Sequence, residues 1–414
     1  MYSRNAPFND LPTLPPSVEV ETPAVLKKAI AASRALAELK GMAERMPNQA
    51  MLIDSLVLQE ARASSEIENI LTTNDELFKA AAEEPPAPGR SEVGGGPPRG
   101  ADAVPGGQGR SRSTLPASAE AKEVLRYRQA LNLGFRQITE LRSDTNRPED
   151  GLSPTEGLRH AGHGRPLATG LFIEIAQIIK QTDFSVRRTS GTRIANSRGE
   201  TIYTPPEGEA VIRDKLRDLE NFMHADDGLD VLVKMALVHY QFEAIHPFAD
   251  GNGRTGRILN ILYLVDQRLL NLPVLYLSRH IILHKAAYYD GLRRVTEEGA
   301  WADWVLYMLD AVEQTSLRTR RQITDILALM ETVHERVQRE APGLHSTGRS
   351  KDLIEQIFRQ PYCKIRFLER AGMGTRQTCA KYLRELERLG VLHGQKIGRE
   401  VYFINQALFE LLTR

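Results

Sequence analysis

The sequence predicts a mainly α-helical protein with one small β-hairpin and a C-terminal winged helix-turn-helix domain. Three observations predict it. Apolar residues recur at three- and four-residue spacing through most of the chain. One run, RTSGTRIANSRGETIYTPP, breaks that period with two short extended pieces around SRG, which predicts a hairpin. Beyond Lys351, three short helical patterns lead into VLHGQKIGREVYFIN, two strands about a turn that includes Gly398.

In chain order, helical period marks residues 24–44, 51–69, 125–141 and 171–181. The hairpin follows and ends at Pro205 and Pro206, which cannot continue a paired strand. Helices resume at 209–224, 229–245, 254–270, 278–298 and 301–329, then at 352–359, 365–371 and 375–389. Between 83 and 119, glycine and proline supply 15 of 37 residues. Such a stretch buries too little apolar surface to offset its ordering entropy, so a flexible insertion is expected there. A second irregular stretch is expected at 143–169. The resulting organisation is N-terminal helices at 1–82, the insertion, a helical core at 120–335, a linker at 336–350 and the winged module at 351–414.

The chain has 414 residues, with 54 basic and 53 acidic side chains and a formal net charge of +1. That balance excludes a protein whose whole surface is built for nucleic acid, but not one basic module. Residues 351–414 hold 12 basic and 7 acidic side chains, a net of +5. On this module the third helix carries Arg376, Lys381, Arg384 and Arg388, with Lys396 and Arg399 in the wing. Two readings stand side by side: DNA contact through that helix, or a protein-interaction or homodimerisation module with a solvated basic face. Two cysteines, Cys363 and Cys379, exclude a disulfide-rich secreted scaffold and a four-cysteine metal site. The N-terminus has no apolar signal region, and no apolar run approaches the ~18 residues of a membrane helix, so a soluble cytoplasmic protein without membrane contact is expected.

The chemistry concentrates in His246-Pro-Phe-Ala-Asp-Gly-Asn-Gly-Arg-Thr-Gly-Arg257, between two apolar helices. Gly251 and Gly253 permit unusual backbone geometry, and free N–H groups at a helix start make an anion site. Arg254 and Arg257, three apart, share one face and can grip phosphates in bidentate fashion. Asp250 is a hard oxygen ligand suited to Mg²⁺. His246 can accept a proton near neutral pH. These parts describe a polyphosphate held with a metal beside a base. No Gly-Lys-Ser/Thr follows the glycines, so this is not a P-loop.

The same twelve residues match the signature of the Fic family, His-Pro-Phe-x-Asp/Glu-Gly-Asn-Gly-Arg-x-x-Arg, at every defined position. Upstream, SSEIEN at 64–69 resembles the family's inhibitory motif, Ser/Thr-x-x-x-Glu-Gly/Asn, with Ser64, Glu68 and Asn69 in its defined places. The hairpin ending in TIYTPPEGE resembles the family's flap. The order of inhibitory helix, Fic-type helical core and C-terminal winged helix resembles the SoFic-like two-domain bacterial members.

The resemblance implies transfer of AMP from ATP to a Ser, Thr or Tyr hydroxyl of a protein, itself included. It makes His246 the catalytic base and Asp250 the Mg²⁺ ligand. Gly251, Asn252 and Gly253 would cradle phosphates beside Arg254, Thr255 and Gly256, with Arg257 on the γ-phosphate. Thr201, Ile202 and Tyr203 would form the flap, and Tyr288 or Tyr289 would line the base or ribose. Glu68 would compete with the γ-phosphate for Arg257, so that the protein restrains itself. Other Fic-type group transfers, AMP removal, and a nucleotide-sensing DNA-binding regulator are the alternatives.

Overall fold

The computed structural model describes residues 2–84, 117–145, 166–196, 198–346 and 348–414. Both stretches expected to be irregular therefore fall largely outside the described residues. The first helix, α1 (Pro23–Glu44), starts with the Thr22 hydroxyl accepting from the Val25 N–H at 3.3 Å, and with Pro23 where a missing N–H costs nothing. Next come α2 (Gln49–Ile67) and α3 (Asn74–Glu83), then α4 (Ala119–Thr145) and α5 (Thr169–Lys180). The hairpin pairs β1 (Ile194–Ala195) with β2 (Thr201–Tyr203), Ile194 opposite Tyr203 and Ala195 opposite Thr201, with an irregularity between.

Four helices then build the centre and its flank: α6 (Glu209–His224), α7 (Val231–Ile245), α8 (Asn252–Asp266) and α9 (Leu277–Leu283), followed by α10 (Lys285–Glu298). α7 is buried on almost every face, as a largely apolar helix must be, and α8 is equally buried although its first turns carry Arg254 and Arg257. Around that pair lie α2, α4, α5 and α6, and α1 runs along α11 (Trp301–Glu340). Trp304, fully buried, donates its indole N–H to Ala236 O at 2.8 Å and fastens α11 to α7.

At 40 residues α11 reaches ~60 Å at 1.5 Å per residue and carries the chain from the core into the C-terminal module. After α12 (Pro342–His345), that module contains α13 (Ser350–Phe358), β3 (Tyr362–Cys363), α14 (Ile365–Arg370) and α15 (Arg376–Arg388). It ends with β4 (His393–Ile397), β5 (Glu400–Ile404) and α16 (Gln406–Thr413). The antiparallel sheet order is β3-β5-β4, with Tyr362 opposite Ile404 and His393 opposite Ile404 on its other side. Among the described residues, no helix is long and apolar enough to cross a membrane.

The structure departs from the sequence reading in several places: β3 and α16 were not expected, and α4 starts at Ala119 rather than at 125. α3 was not expected, although Thr73 and Glu76 form a reciprocal capping box: each side chain accepts from the other's backbone N–H at 3.2 Å. α11 continues through Glu340, past the expected end at 329, because Met330, Val333 and Val337 extend its buried stripe at helical spacing. The helix expected at 278–298 is two helices, broken at His284, whose backbone (φ −122°, ψ 35°) leaves the helical region.

Gly134 marks where α4 and α8 come closest: a Cβ there would meet the buried Leu262 Cδ1 well inside contact distance. Gly134→Val should therefore overpack this crossing and lower unfolding stability by about 1–3 kcal/mol, read by chemical denaturation of the two proteins. An unchanged denaturation midpoint would show that α4 can retreat freely.

Candidate active site

The signature loop joins α7 to α8, so it begins and ends on the most buried frame in the protein. His246 caps α7 in a left-handed conformation (φ 48°, ψ 59°), donating its N–H to Phe242 O at 3.1 Å. That backbone costs on the order of 1–3 kcal/mol for a non-glycine residue and persists only where surroundings hold it. Arg187, 5% exposed, does the holding. Its Nε donates to His246 O at 2.8 Å, its Nη2 donates to the carbonyls of Ile245 and Pro206, and its own N–H donates to Pro247 O at 2.9 Å. A cation thus closes the carbonyl end of α7. Burial first, and the Arg187 charge second, lower the His246 imidazole to about 4, so it is neutral and open to a proton at physiological pH.

At the other end of the loop Gly251 (φ 84°) caps α8 in the conformation that favours glycine. Asn252 locks the turn from within: its Oδ1 accepts from the Phe248 N–H and its Nδ2 donates to Phe248 O, both at 2.8 Å. Its side chain is therefore committed to the loop, and what the first turn of α8 presents to an anion is backbone N–H. Gly253 is required by close approach, since a Cβ would lie 2.5 Å from Glu68 Oε1 and 2.9 Å from Arg257 Nη1. Thr255 and Gly256 do not face the site as expected. Thr255 is fully buried, and a Cβ on Gly256 would lie 2.6 Å from Glu243 Oε1 and 3.1 Å from Phe242, so Gly256 serves the α7–α8 contact. Helical geometry puts 254 and 257 on one face and the residues between them on another.

Each charged residue of the loop already has an internal partner. Arg257, 1% exposed, donates Nε to Ser64 Oγ at 2.8 Å and Nη2 to Ser64 O at 2.9 Å and Glu68 Oε1 at 2.8 Å. Burial alone would raise the Glu68 carboxyl, but the charge and hydrogen bond of Arg257, with Arg254 and Lys285, hold it below its usual range. Asn69, just beyond, takes a left-handed backbone (φ 62°) that turns the chain out of α2. Arg254, also buried, donates to Glu123 Oε1 of α4 at 2.5 Å. Asp250, more than half exposed, meets Lys180 Nζ of α5 at 2.6 Å. Behind the arginines, burial pushes the Glu243 carboxyl up to about 7, against the pull of Arg257 and with the push of Glu68.

Arg187, Glu123, Lys180 and Glu243 escaped the sequence reading as parts of the site. They are single charges on helices or loop, far from the loop in sequence and without a local motif. Only Glu243 carried a signal, lying three residues before His246 on the buried helix.

The flap and aromatic residues are only partly where the sequence suggested. Thr201 and Ile202 are half-buried on β2, but Tyr203 points inward, its OH donating to Ala244 O at 2.8 Å. Tyr2 and Phe8 brace the hairpin: Tyr2 OH donates to Ile202 O at 3.2 Å, and the Phe8 N–H donates to Thr204 O at 3.1 Å. Tyr288 is buried beneath the site, with its OH 2.9 Å from His239 Nε2, whereas Tyr289 is 46% exposed at the rim. Of the two, Tyr289 is the one open to solvent, and the Tyr288 hydroxyl is engaged in the core.

Among the described residues, no group of three or more His, Cys, Asp or Glu side chains is arranged to hold a metal. The donor set fits Mg²⁺ in one form: a single exposed carboxylate, Asp250, that already holds a cationic ammonium and would share the ion with phosphates and water.

Three family models match the chain in order: Fic/DOC family N-terminal at residues 26–94, Fic/DOC family at 166–264, and the C-terminal domain of SoFic-like protein adenylyltransferase at 329–408. Residues 26–94 and 166–264 are thus similar to the N-terminal and core domains of the Fic/DOC family. Among named relatives it is 37% identical over 98 residues to a probable protein adenylyltransferase of Aquifex aeolicus, covering 24% of this chain and 28% of that one. It is 41% identical over 80 residues to a protein adenylyltransferase Fic of Aedes aegypti, covering 19% and 15%. The match therefore spans less than a third of either relative's length. A Fic family protein of known structure from Desulfovibrio desulfuricans G20 is similar over 94% of this chain and 98% of its own, at 16% identity and a TM-score of 0.47.

The electrostatics of this Fic loop give a direct test. Because the His246 pKa is lowered, the neutral ring persists as pH falls from 7 to 5 and takes up its proton only near 4. NMR titration of labelled histidine in the ATP-free protein should show this, and a His246 midpoint near the ordinary ~6.5 would contradict the burial and Arg187 account.

Proposed function

We propose that this protein transfers AMP from ATP to a Ser, Thr or Tyr hydroxyl of a protein, itself included, in the cytoplasm, and that Glu68 restrains it. The observation that carries the reading is the site itself: a neutral histidine base on the signature loop, beside a buried arginine whose accessible partner is a carboxylate from α2. In the reaction, His246 takes the proton of the incoming hydroxyl. The oxygen forms a bond to the α-phosphorus, the bond from phosphorus to the bridging oxygen breaks, and diphosphate leaves. Backbone N–H groups at the start of α8, near Gly251 and Gly253, receive phosphate oxygens, and Arg254 and Arg257 supply positive charge. Asp250 would hold a Mg²⁺ ion, which when bound would offset charge at the leaving diphosphate. Glu68 bound to Arg257 denies that guanidinium to the γ-phosphate. Tyr289 and the hairpin at Thr201 and Ile202 bound the nucleotide and the target.

The test uses ATP labelled at the α-phosphate, with intact mass, on wild type, Glu68→Gly and His246→Ala. Glu68→Gly should gain AMP on itself at least ~10-fold faster than wild type, as expected when a desolvated carboxylate stops competing for a buried arginine. His246→Ala, alone or with Glu68→Gly, should gain none. Equal rates for wild type and Glu68→Gly would end the restraint reading, and label arriving from the γ-phosphate would make the protein a kinase.

A second reading, DNA contact by the C-terminal module, is favoured by one observation. The acidic residues that blunt α15 are spent internally: Glu385 pairs with Arg388 at 2.7 Å, and Glu387 accepts from the Gly394 N–H at 2.9 Å. Arg376, Lys381 and Arg384 are exposed along a shallow groove with Lys396 and Arg399 nearby on the hairpin, and no ion pair engages these three among the described residues. Duplex DNA should bind at low salt and release steeply as salt rises, and Lys381→Glu with Arg384→Glu should abolish binding. Absence of binding by wild type at low salt would leave a protein partner or a second copy for this face.

A further inference from the structure

We propose that the C-terminal module sets the strength of self-inhibition by gripping the inhibitory segment on both sides of Glu68. This rests on the reading of Glu68 given above.

Upstream, the grip falls on α2. Arg359, at the end of α13, meets Asp54 at 3.0 Å, and its carbonyl accepts from the Ser55 hydroxyl at 3.0 Å, a contact in which Ser55 is 1% exposed. Downstream, it falls on α3. Glu83, the last residue of α3, accepts from Lys364, Tyr402 and, at 2.8 Å, Arg366. Asp75 accepts from the Tyr362 hydroxyl, and the buried Phe78 ring lies against Tyr362 and Phe409 at centroid distances of 6.5 and 5.7 Å. Lys364 is itself buried between Glu83 and Glu400, so separating α3 from the sheet would strand a desolvated ammonium.

Glu68 sits between these two grips. From Ser55 to Glu68 the chain is one helix, ~20 Å long at 1.5 Å per residue, and buried on most faces, so it moves as a rod. The core has its own hold on that rod at Glu60, which accepts from the Ser278 N–H at 2.9 Å and from the Tyr127 hydroxyl at 3.0 Å. Beyond Glu60, the end that carries Ser64 and Glu68 continues into α3, and α3 is fastened to the C-terminal module. Glu68 reaches Arg257 through one carboxylate oxygen and is about a third exposed. A small shift of α3 therefore suffices to withdraw it and leave Arg257 free for the γ-phosphate. Whatever re-seats the module changes ATP affinity through this path, and by linkage ATP loosens the module in turn.

The experiment measures ATP affinity in five proteins besides wild type: Glu68→Gly, and Arg359→Ala and Arg366→Ala, each alone and each combined with Glu68→Gly. Glu68→Gly by itself is the reference, and thermal melts check folding. Each single variant should bind ATP about 2- to 5-fold more tightly than wild type, the scale expected for loss of a part-exposed ion pair from the restrained state, and should add nothing in the Glu68→Gly background. If the arginine variants melt early, Tyr402→Phe removes one hydroxyl from Glu83 and should show the same pattern. Unchanged affinity in folded variants, with Glu68→Gly tightened, overturns the grip alone. Equal tightening in both backgrounds also overturns it, because the effect would bypass Glu68. If Glu68→Gly does not tighten ATP binding, the reading of Glu68 fails and the grip falls with it.

Discussion

The need of the buried Arg257 guanidinium for acceptors organises the rest of the site. Arginine cannot shed its charge, and at 1% exposure it cannot turn to water. Its Nε and Nη2 donors are met by Ser64 and Glu68, so α2 must lie against α8 and must do so in one register. The neighbouring polar groups follow from that choice. Glu60, one turn earlier on α2, is fully buried and is held by Tyr127 and Ser278, which ties the same helix to α4 and α9. The contact proposed to be inhibitory and a structural one are here the same hydrogen bonds.

Charge at the site is arranged as a set of exchanges. Glu68 stands on Arg257 and Glu123 on Arg254, while Lys180 stands beside Asp250. In the proposed reaction phosphate oxygens would take the places of the carboxylates on Arg257 and Arg254, and Asp250 would be free to hold a cation in place of the ammonium. His246 and Glu243 move the other way. Burial drives both toward their neutral forms, to about 4 and about 7, so the base is unprotonated in the same pocket that keeps its arginines charged. The Arg187 cap makes this possible by fixing the strained His246 backbone from a segment the loop does not include.

How much of this was legible in the sequence depended on distance along the chain. The loop from His246 to Arg257 was legible because its groups are contiguous and every one is needed within a turn or two of helix. Ser64 and Glu68, the partners of Arg257, were legible only through resemblance, since a carboxylate on an amphipathic helix has no local mark of its partner 189 positions away. α3 has a readable capping box at Thr73 and Glu76, but its buried residues, Leu77, Phe78 and three alanines, make too small an apolar face for the helical period to stand out. The side-chain direction of Asn252, and of Tyr288 against Tyr289, could not be read, since adjacent residues on a helix differ by about 100° and only packing selects the face.

The sequence by itself determined the helical class, the hairpin, the C-terminal module and the chemical inventory of the loop. Local periodicity and turn chemistry act over a few residues, and that range is enough for each of them. Tertiary structure alone decided which charges meet: Arg187 under His246, Glu123 on Arg254, Lys180 on Asp250, and the C-terminal module on α2 and α3 to either side of Glu68. Those pairings come from the folding together of helices distant in sequence, and their strength comes from burial, which exists only once the helices have packed.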